Sequence, residues 1–187
     1  IYENSFGFSD YKKKETLSVN SIFQLASVTK PLTACAVLML YEEGKLNLDD
    51  ELTKFFPAFP YKGVTVRLLL THRSGLPDYM YFADKLWKNR RTPIYNQDVL
   101  DLMILYKPQR YYKPDRRYNY SNTKYALLAL IIEEVSGMSF AEFMKVRIFE
   151  PLGMKNSYVM TFEDLRKNEK PDFVKGYYRP GRVAENH

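Results

Sequence analysis

The sequence holds one cysteine, Cys35, among 187 residues, so no internal disulfide can form. Cys35 sits inside an apolar run, where a buried, inert thiol is expected. A catalytic thiol calls instead for a nearby histidine or cation in an exposed pocket. Long apolar runs are missing too: no stretch reaches the about 18 residues that a membrane-spanning helix needs. No segment is low in complexity or biased toward disorder, and no unit repeats. Histidine is scarce, with two residues. His72 invites a triad reading, yet no acid is clearly placed to orient it. The chain opens at Ile1 without methionine or a signal-like segment, which fits a removed leader or a truncated chain.

What is present is enough for a core. Apolar residues make up 45% of the chain. Lys and Arg number 28 against 22 acids, a net charge of +6 that mildly favours anionic partners. Residues 1–8 read as the end of a strand running into a turn, followed by a solvated charged loop, SDYKKKET. From Pro31 to Tyr41 the chain is apolar on every side, the mark of a buried helix. Pro31 suits its first turn and Gly44 its end. Asp49 or Asp50 can cap a short helix before Pro57, and Thr65 one over VRLLLTH. Asn96 opens a third that Pro108 stops. A second strongly apolar helix runs from Tyr125 to Val135, closed by Gly137. Ser139 and Glu142 form a capping box for a helix ending at Pro151. Strand-like alternation is nearly absent from this middle region.

Ser-x-x-Lys is the pattern that suggests a nucleophile beside its base. On a helix, residues three apart share a face with Cβ atoms about 5–6 Å from each other. A serine at a helix N-terminus also has a positive dipole beneath a developing alkoxide. A lysine desolvated beside it can accept a proton near neutral pH. The pattern occurs three times: Ser9–Lys12, Ser27–Lys30 and Ser121–Lys124. Ser9 lies in the polar loop and is set aside. The other two both precede apolar helices and compete on physical grounds alone.

Context separates them. Residues 23–34 read FQLASVTKPLTA, 68–79 LLLTHRSGLPDY, 118–139 YNYSNTKYALLALIIEEVSGMS and 148–156 IFEPLGMKN. In order and spacing these blocks resemble class C β-lactamases and the related D-Ala-D-Ala carboxypeptidases and esterases. The resemblance runs from about Phe23 to Asn156. It implies that Ser27 is the acylated nucleophile and Lys30 its partner. Tyr120-Ser121-Asn122 matches that superfamily's Tyr-x-Asn motif, which implies Tyr120 as general base or acid. Asn122 is then the residue that binds Lys30 and the substrate amide. Two residues apart in an extended segment, Tyr120 and Asn122 point to one side and Ser121 to the other. Tyrosine ionises near about 10 in water, and a neighbouring Lys30 lowers that value for Tyr120. Whether Lys30 or Tyr120 takes the serine proton stays open. The block around His72 is a structural turn by the same resemblance.

The stretch from Arg110 to Tyr120 interleaves tyrosines with Arg110, Lys113, Arg116 and Arg117, a pattern that can bind single-stranded nucleic acid. Because it runs straight into the Tyr-x-Asn motif, the rim of a substrate cleft is the expectation, with no nucleic-acid partner. No third motif (Lys or His, a small hydroxyl residue, Gly) follows Asn122; Lys175-Gly176 lacks the middle residue. After Thr161 the apolar density falls, and the end at His187 reads as a cut.

The expected fold is α+β, a β-lactamase/transpeptidase-like fold represented by its helical lobe and a remnant of antiparallel sheet. One partial domain is expected: sheet remnant and loop over 1–26, helical region over 27–160, truncated tail over 161–187. No cofactor or metal is implied. Two function classes stand: a serine hydrolase acting on a β-lactam, a D-Ala-D-Ala peptide or an ester, and a non-catalytic relative of that fold. The partner in the first class is a small-molecule or peptide acyl substrate. The resemblance implies an extracytoplasmic location.

Overall fold

A computed structural model describes residues 2–88, 91–162, 164, 173–179 and 182–183. The chain begins with an antiparallel hairpin, β1 (Phe8–Asp10) and β2 (Glu15–Thr16). Seven α-helices follow among the described residues: α1 (Thr29–Glu42), α2 (Leu52–Phe55), α3 (Val66–Leu70), α4 (Tyr79–Leu86), α5 (Asn96–Tyr106), α6 (Asn122–Ser136) and α7 (Phe140–Met144). A second hairpin, β3 (Tyr177–Arg179) and β4 (Arg182–Val183), pairs antiparallel near the end. The segment before it rejoins the start of the chain: Val174 N donates to Ile22 O at 2.9 Å and Lys175 N to Ser9 O at 2.9 Å. Of the expected tail, residues 163, 165–172, 180–181 and 184–187 lie outside the described residues.

Helix α6 is the centre of the molecule, packed against α1, α3, α5 and α7. Its buried set, Ala126 to Ile132, covers every side of the helix. A run that is apolar all round can be satisfied only where neighbours surround it. Gly137 ends α6 in the left-handed region, φ 70°, where a side chain would add strain. Caps fix the other ends. Thr65 Oγ1 accepts from Leu68 N at 3.3 Å, and Ser139 Oγ accepts from Glu142 N at 3.2 Å. The chain beyond α7 continues as a widened helical turn over Lys145–Phe149.

Several expectations are corrected. Helix α1 was expected to be buried all round, but it buries only Thr33, Ala36, Val37 and Leu40, one stripe at helical spacing laid on α6. Cys35, Leu38 and Tyr41 on the remaining surface are exposed, so Cys35 is not a core thiol. Asp49 and Asp50 do not cap α2. Asp49 instead holds Arg67 through two 2.8 Å bonds, and Asp50 accepts from Asn47 N at 2.8 Å. Phe140 N is taken by Glu133 of α6 at 2.7 Å.

The charged segment after residue 8 is also more than a solvated loop. Asp10 is buried, and its carboxylate accepts from Lys12 N, Lys13 N, Tyr177 OH and Lys175 Nζ. Lys175 foremost, then Tyr177 and those backbone donors, hold the Asp10 carboxyl well below the usual carboxylate range, against the opposing effect of desolvation. Lys175 is thereby bound to the hairpin.

Candidate active site

Ser27 lies in a single 3₁₀ turn, Ala26–Val28, that leads directly into α1. Ala26 has φ 46°, a left-handed conformation that a non-glycine residue adopts at some cost. Val28 N donates to Leu25 O at 3.0 Å and Thr29 Oγ1 to Ala26 O at 2.7 Å, which holds the bend. The result presents Ser27 at the open end of the helix, exposed. Lys30, one turn further along α1, is half-buried and reaches back to it.

The partners arrive from a segment more than ninety positions away, by way of a turn the sequence treated as structural. His72, Gly75 and Asp78 in that turn anchor residues 111–122. Tyr111 N donates to Gly75 O at 2.9 Å, Asp115 N to Arg73 O at 2.9 Å and Asn119 N to His72 O at 2.8 Å. Arg73 also pairs with Asp115 at 2.6 Å. Asp78, whose capping of α4 went unread in the sequence, uses both oxygens. Oδ1 accepts from Met80 N at 3.0 Å, and Oδ2 accepts from Asn122 N at 2.8 Å. It thus ties the starts of α4 and α6 together. Thr123 adds to the joint, accepting from Tyr79 N at 2.7 Å and donating to Pro77 O at 2.7 Å. The legible signal was an aspartate directly before a run of helix formers.

Four side chains meet at this junction. Ser27 Oγ lies 2.6 Å from Tyr120 OH. Lys30 Nζ donates to Ser27 Oγ at 3.0 Å and to Asn122 Oδ1 at 2.9 Å. Lys30 Nζ also sits 4.8 Å from the centre of the Tyr120 ring and 5.6 Å from that of Tyr125. Asn122 Nδ2 faces Met80 Sδ at 3.3 Å. The Lys30 ammonium, then the Ser27 hydroxyl, push the Tyr120 phenol below its ordinary value, because both favour the phenolate. Ser121, between Tyr120 and Asn122, is fully buried and turned toward Pro77 O at 3.4 Å.

His72 backs Tyr120. Its ring lies 4.6 Å from the Tyr120 ring at 32° and 5.2 Å from Tyr125. Burial, then the Lys124 and Lys30 charges, lower the imidazole to about 4. It is therefore neutral at pH 7, with Nδ1 free to accept from Ser121 N at 3.4 Å. Within the basic, aromatic stretch, Arg117 lies over Tyr112 at 5.1 Å and Arg110 over Tyr61 at 5.7 Å. Tyr118 is exposed beside the site.

A family model described as Beta-lactamase matches residues 1–170. This chain belongs to the beta-lactamase family. Its fold is accordingly α+β and of the β-lactamase/transpeptidase type, as the sequence blocks suggested. Penicillin-binding protein 4* of Bacillus subtilis is 44% identical over 159 residues, covering 85% of this chain and 35% of that protein. The octameric penicillin-binding protein homologue from Pyrococcus abyssi superposes with a TM-score of 0.79 at 34% identity, covering 98% of this chain and 43% of that one. D-amino acid amidase from Ochrobactrum anthropi gives 0.70 at 28% identity, covering 92% and 46%. This beta-lactamase family chain therefore spans about a third of the length of the curated relatives it matches.

Proposed function

We propose that these residues form the acylation site of a serine hydrolase, with Ser27 as nucleophile, Tyr120 as its base, and Lys30 and Asn122 orienting both. The observation that carries the reading is the double contact on Ser27 Oγ: Tyr120 OH at 2.6 Å and the Lys30 ammonium at 3.0 Å. Lys30 donates to Ser27 Oγ, so the serine's own proton is directed to the other neighbour, the Tyr120 oxygen. The lowered Tyr120 phenol makes that oxygen a competent acceptor.

Ser27 Oγ then attacks the acyl carbon while its proton passes to Tyr120. The same proton is delivered to the leaving group as the tetrahedral intermediate collapses to an acyl-enzyme. Water, deprotonated by Tyr120, then attacks the acyl carbon, and that proton passes to Ser27 Oγ as the ester bond breaks and the acid leaves. Asn122 Oδ1 holds Lys30 in place, and Nδ2, which gives one N–H to Met80 Sδ, has a second for an acyl carbonyl. The Ser27 backbone N–H supplies one oxyanion donor. The substrate class is an amide or ester acyl donor: a β-lactam, a D-Ala-D-Ala peptide or a simple ester. The names of the relatives support the amide and β-lactam side of that range. An extracytoplasmic location goes with such substrates.

Mass spectrometry of the complete gene product after exposure to benzylpenicillin or p-nitrophenyl acetate tests this. One acyl group is expected on Ser27 and none in Ser27→Ala. An adduct that persists in Ser27→Ala moves the nucleophile elsewhere. No adduct with any donor favours a non-catalytic relative.

A further inference from the structure

The second Ser-x-x-Lys is left unexplained by this chemistry. Lys124 is fully buried, among the largest fully buried side chains of the molecule. It lies in the first turn of α6, where a cation opposes the helix dipole. No carboxylate pairs with it among the described residues; Asp78 is the acid whose field reaches it. An apolar residue of similar volume would avoid the desolvation that this ammonium suffers, which makes a purely packing role a poor account.

Its hydrogen bonds point elsewhere than to Ser121. Lys124 Nζ donates to His72 O at 3.4 Å and to Asn119 O. His72 O also accepts from Asn119 N at 2.8 Å. The lysine therefore straps the His72 turn to the residue immediately before Tyr120. His72 is itself in the left-handed region, φ 57°, a conformation that needs surrounding contacts to hold it. Its ring is the surface on which the Tyr120 ring rests.

We propose that Lys124 is a positioning residue for Tyr120: its buried amine locks the His72 and Asn119 carbonyls together and so fixes the phenol against Ser27 and Lys30. This rests on the reading of Tyr120 as the base. Burial lowers the Lys124 amine to about 8. The neutral amine still carries two N–H groups, enough for both carbonyls, so the strap holds in either charge state. The groups that face Tyr120 are Lys30 and Ser27 ahead of it, His72 and Asp78 from the turn, and Tyr125; Tyr118 faces His72 and Tyr125 instead. Cutting the strap lets the phenol drift from Lys30, whose charge then lowers it less.

The test is the pH profile of Ser27 acylation by p-nitrophenyl acetate in the complete gene product, for wild type, Lys124→Met and His72→Asn. Met, unbranched and one atom shorter than Lys, removes the donors, while Asn tolerates the left-handed backbone and removes the ring. Both variants should acylate about 10–10²-fold more slowly at neutral pH. In both, the limb of the profile governed by Tyr120 should move up by about 0.5–1 unit. A slowed variant with an unmoved limb would mean a merely structural lysine and overturn the proposal, as would unchanged rates. Should Lys124→Met fail to fold, Lys124→Gln, too short to donate to both carbonyls, is read by the same outcomes, because His72→Asn leaves the strap intact and reports only on the face it positions. If wild type itself is not acylated on Ser27, the reading of the site fails and this proposal goes with it. Acylation of wild type with variants indistinguishable from it removes only the role of Lys124.

Discussion

Tyr120 is more exposed than a catalytic base in a closed site, with 44% of its surface open, yet its hydroxyl is held on one side. Ser27 and Lys30 define where the oxygen sits, and His72 limits where the ring can turn. That division predicts a specific result for Tyr120→Phe. The ring still fills its place on His72, so the fold should be unchanged by circular dichroism. Acylation of Ser27 should fall by about 10²–10⁴-fold, the usual contribution of a positioned base. A loss smaller than tenfold in rapid-quench measurements would hand the base role to Lys30.

At the level of elements, the site is built on a turn and two helix starts. The 72–78 turn holds residues 111–119 by backbone hydrogen bonds and holds α4 and α6 through Asp78. Gly75 is the position where this turn tolerates nothing larger. It has φ 72°, and a Cβ there would lie 2.0 Å from the Tyr112 carbonyl oxygen. Gly75→Ala combines the left-handed strain with displacement of a backbone segment. It should lower stability by at least about 1–3 kcal/mol in urea unfolding. Acylation should slow as well, because the displaced segment leads into Tyr120. A variant as stable and as fast as wild type would show that residues 110–112 adjust without moving the site.

For the molecule as a whole, the helical region carries the residues proposed here as nucleophile, base and one oxyanion donor on a core centred on α6. The exposed surface of α1, with Leu38 and Tyr41, and Val28 just before it have no covering element among the described residues. The resemblance to the family implies, as an expectation, a further strand with a third motif and a second oxyanion donor beside Ser27. The 187 residues by themselves should therefore acylate about 10²–10³-fold more slowly than the complete gene product, the typical loss for one oxyanion donor. Matched burst kinetics of the two with the same activated ester give the comparison. Equal rates would mean that the lobe supplies both donors itself.

Much of this was legible in the sequence, and the reason is locality. Helix ends follow from caps and stops a few residues away, so Thr65, Ser139, Gly44 and Gly137 mark them directly. Ser27 and Lys30 share a face because they stand three positions apart, and Tyr120 and Asn122 share a side because they stand two apart. What lay beyond reach depended on packing between distant segments. Two helices read equally as apolar all round, and only their neighbours make α6 central and leave one face of α1 open with Cys35 on it. Asp10 looked solvated until residues 175 and 177 arrived beside it. Two Ser-x-x-Lys pairs stood before apolar helices, and composition could not rank them. The fold separates them by burial: Ser27 and Lys30 face an open junction with Tyr120, whereas Ser121 and Lys124 are sealed inside and turned to backbone carbonyls. A local pattern sets which atoms can meet along one helix, but solvent access and partners from other segments exist only once the chain has closed on itself.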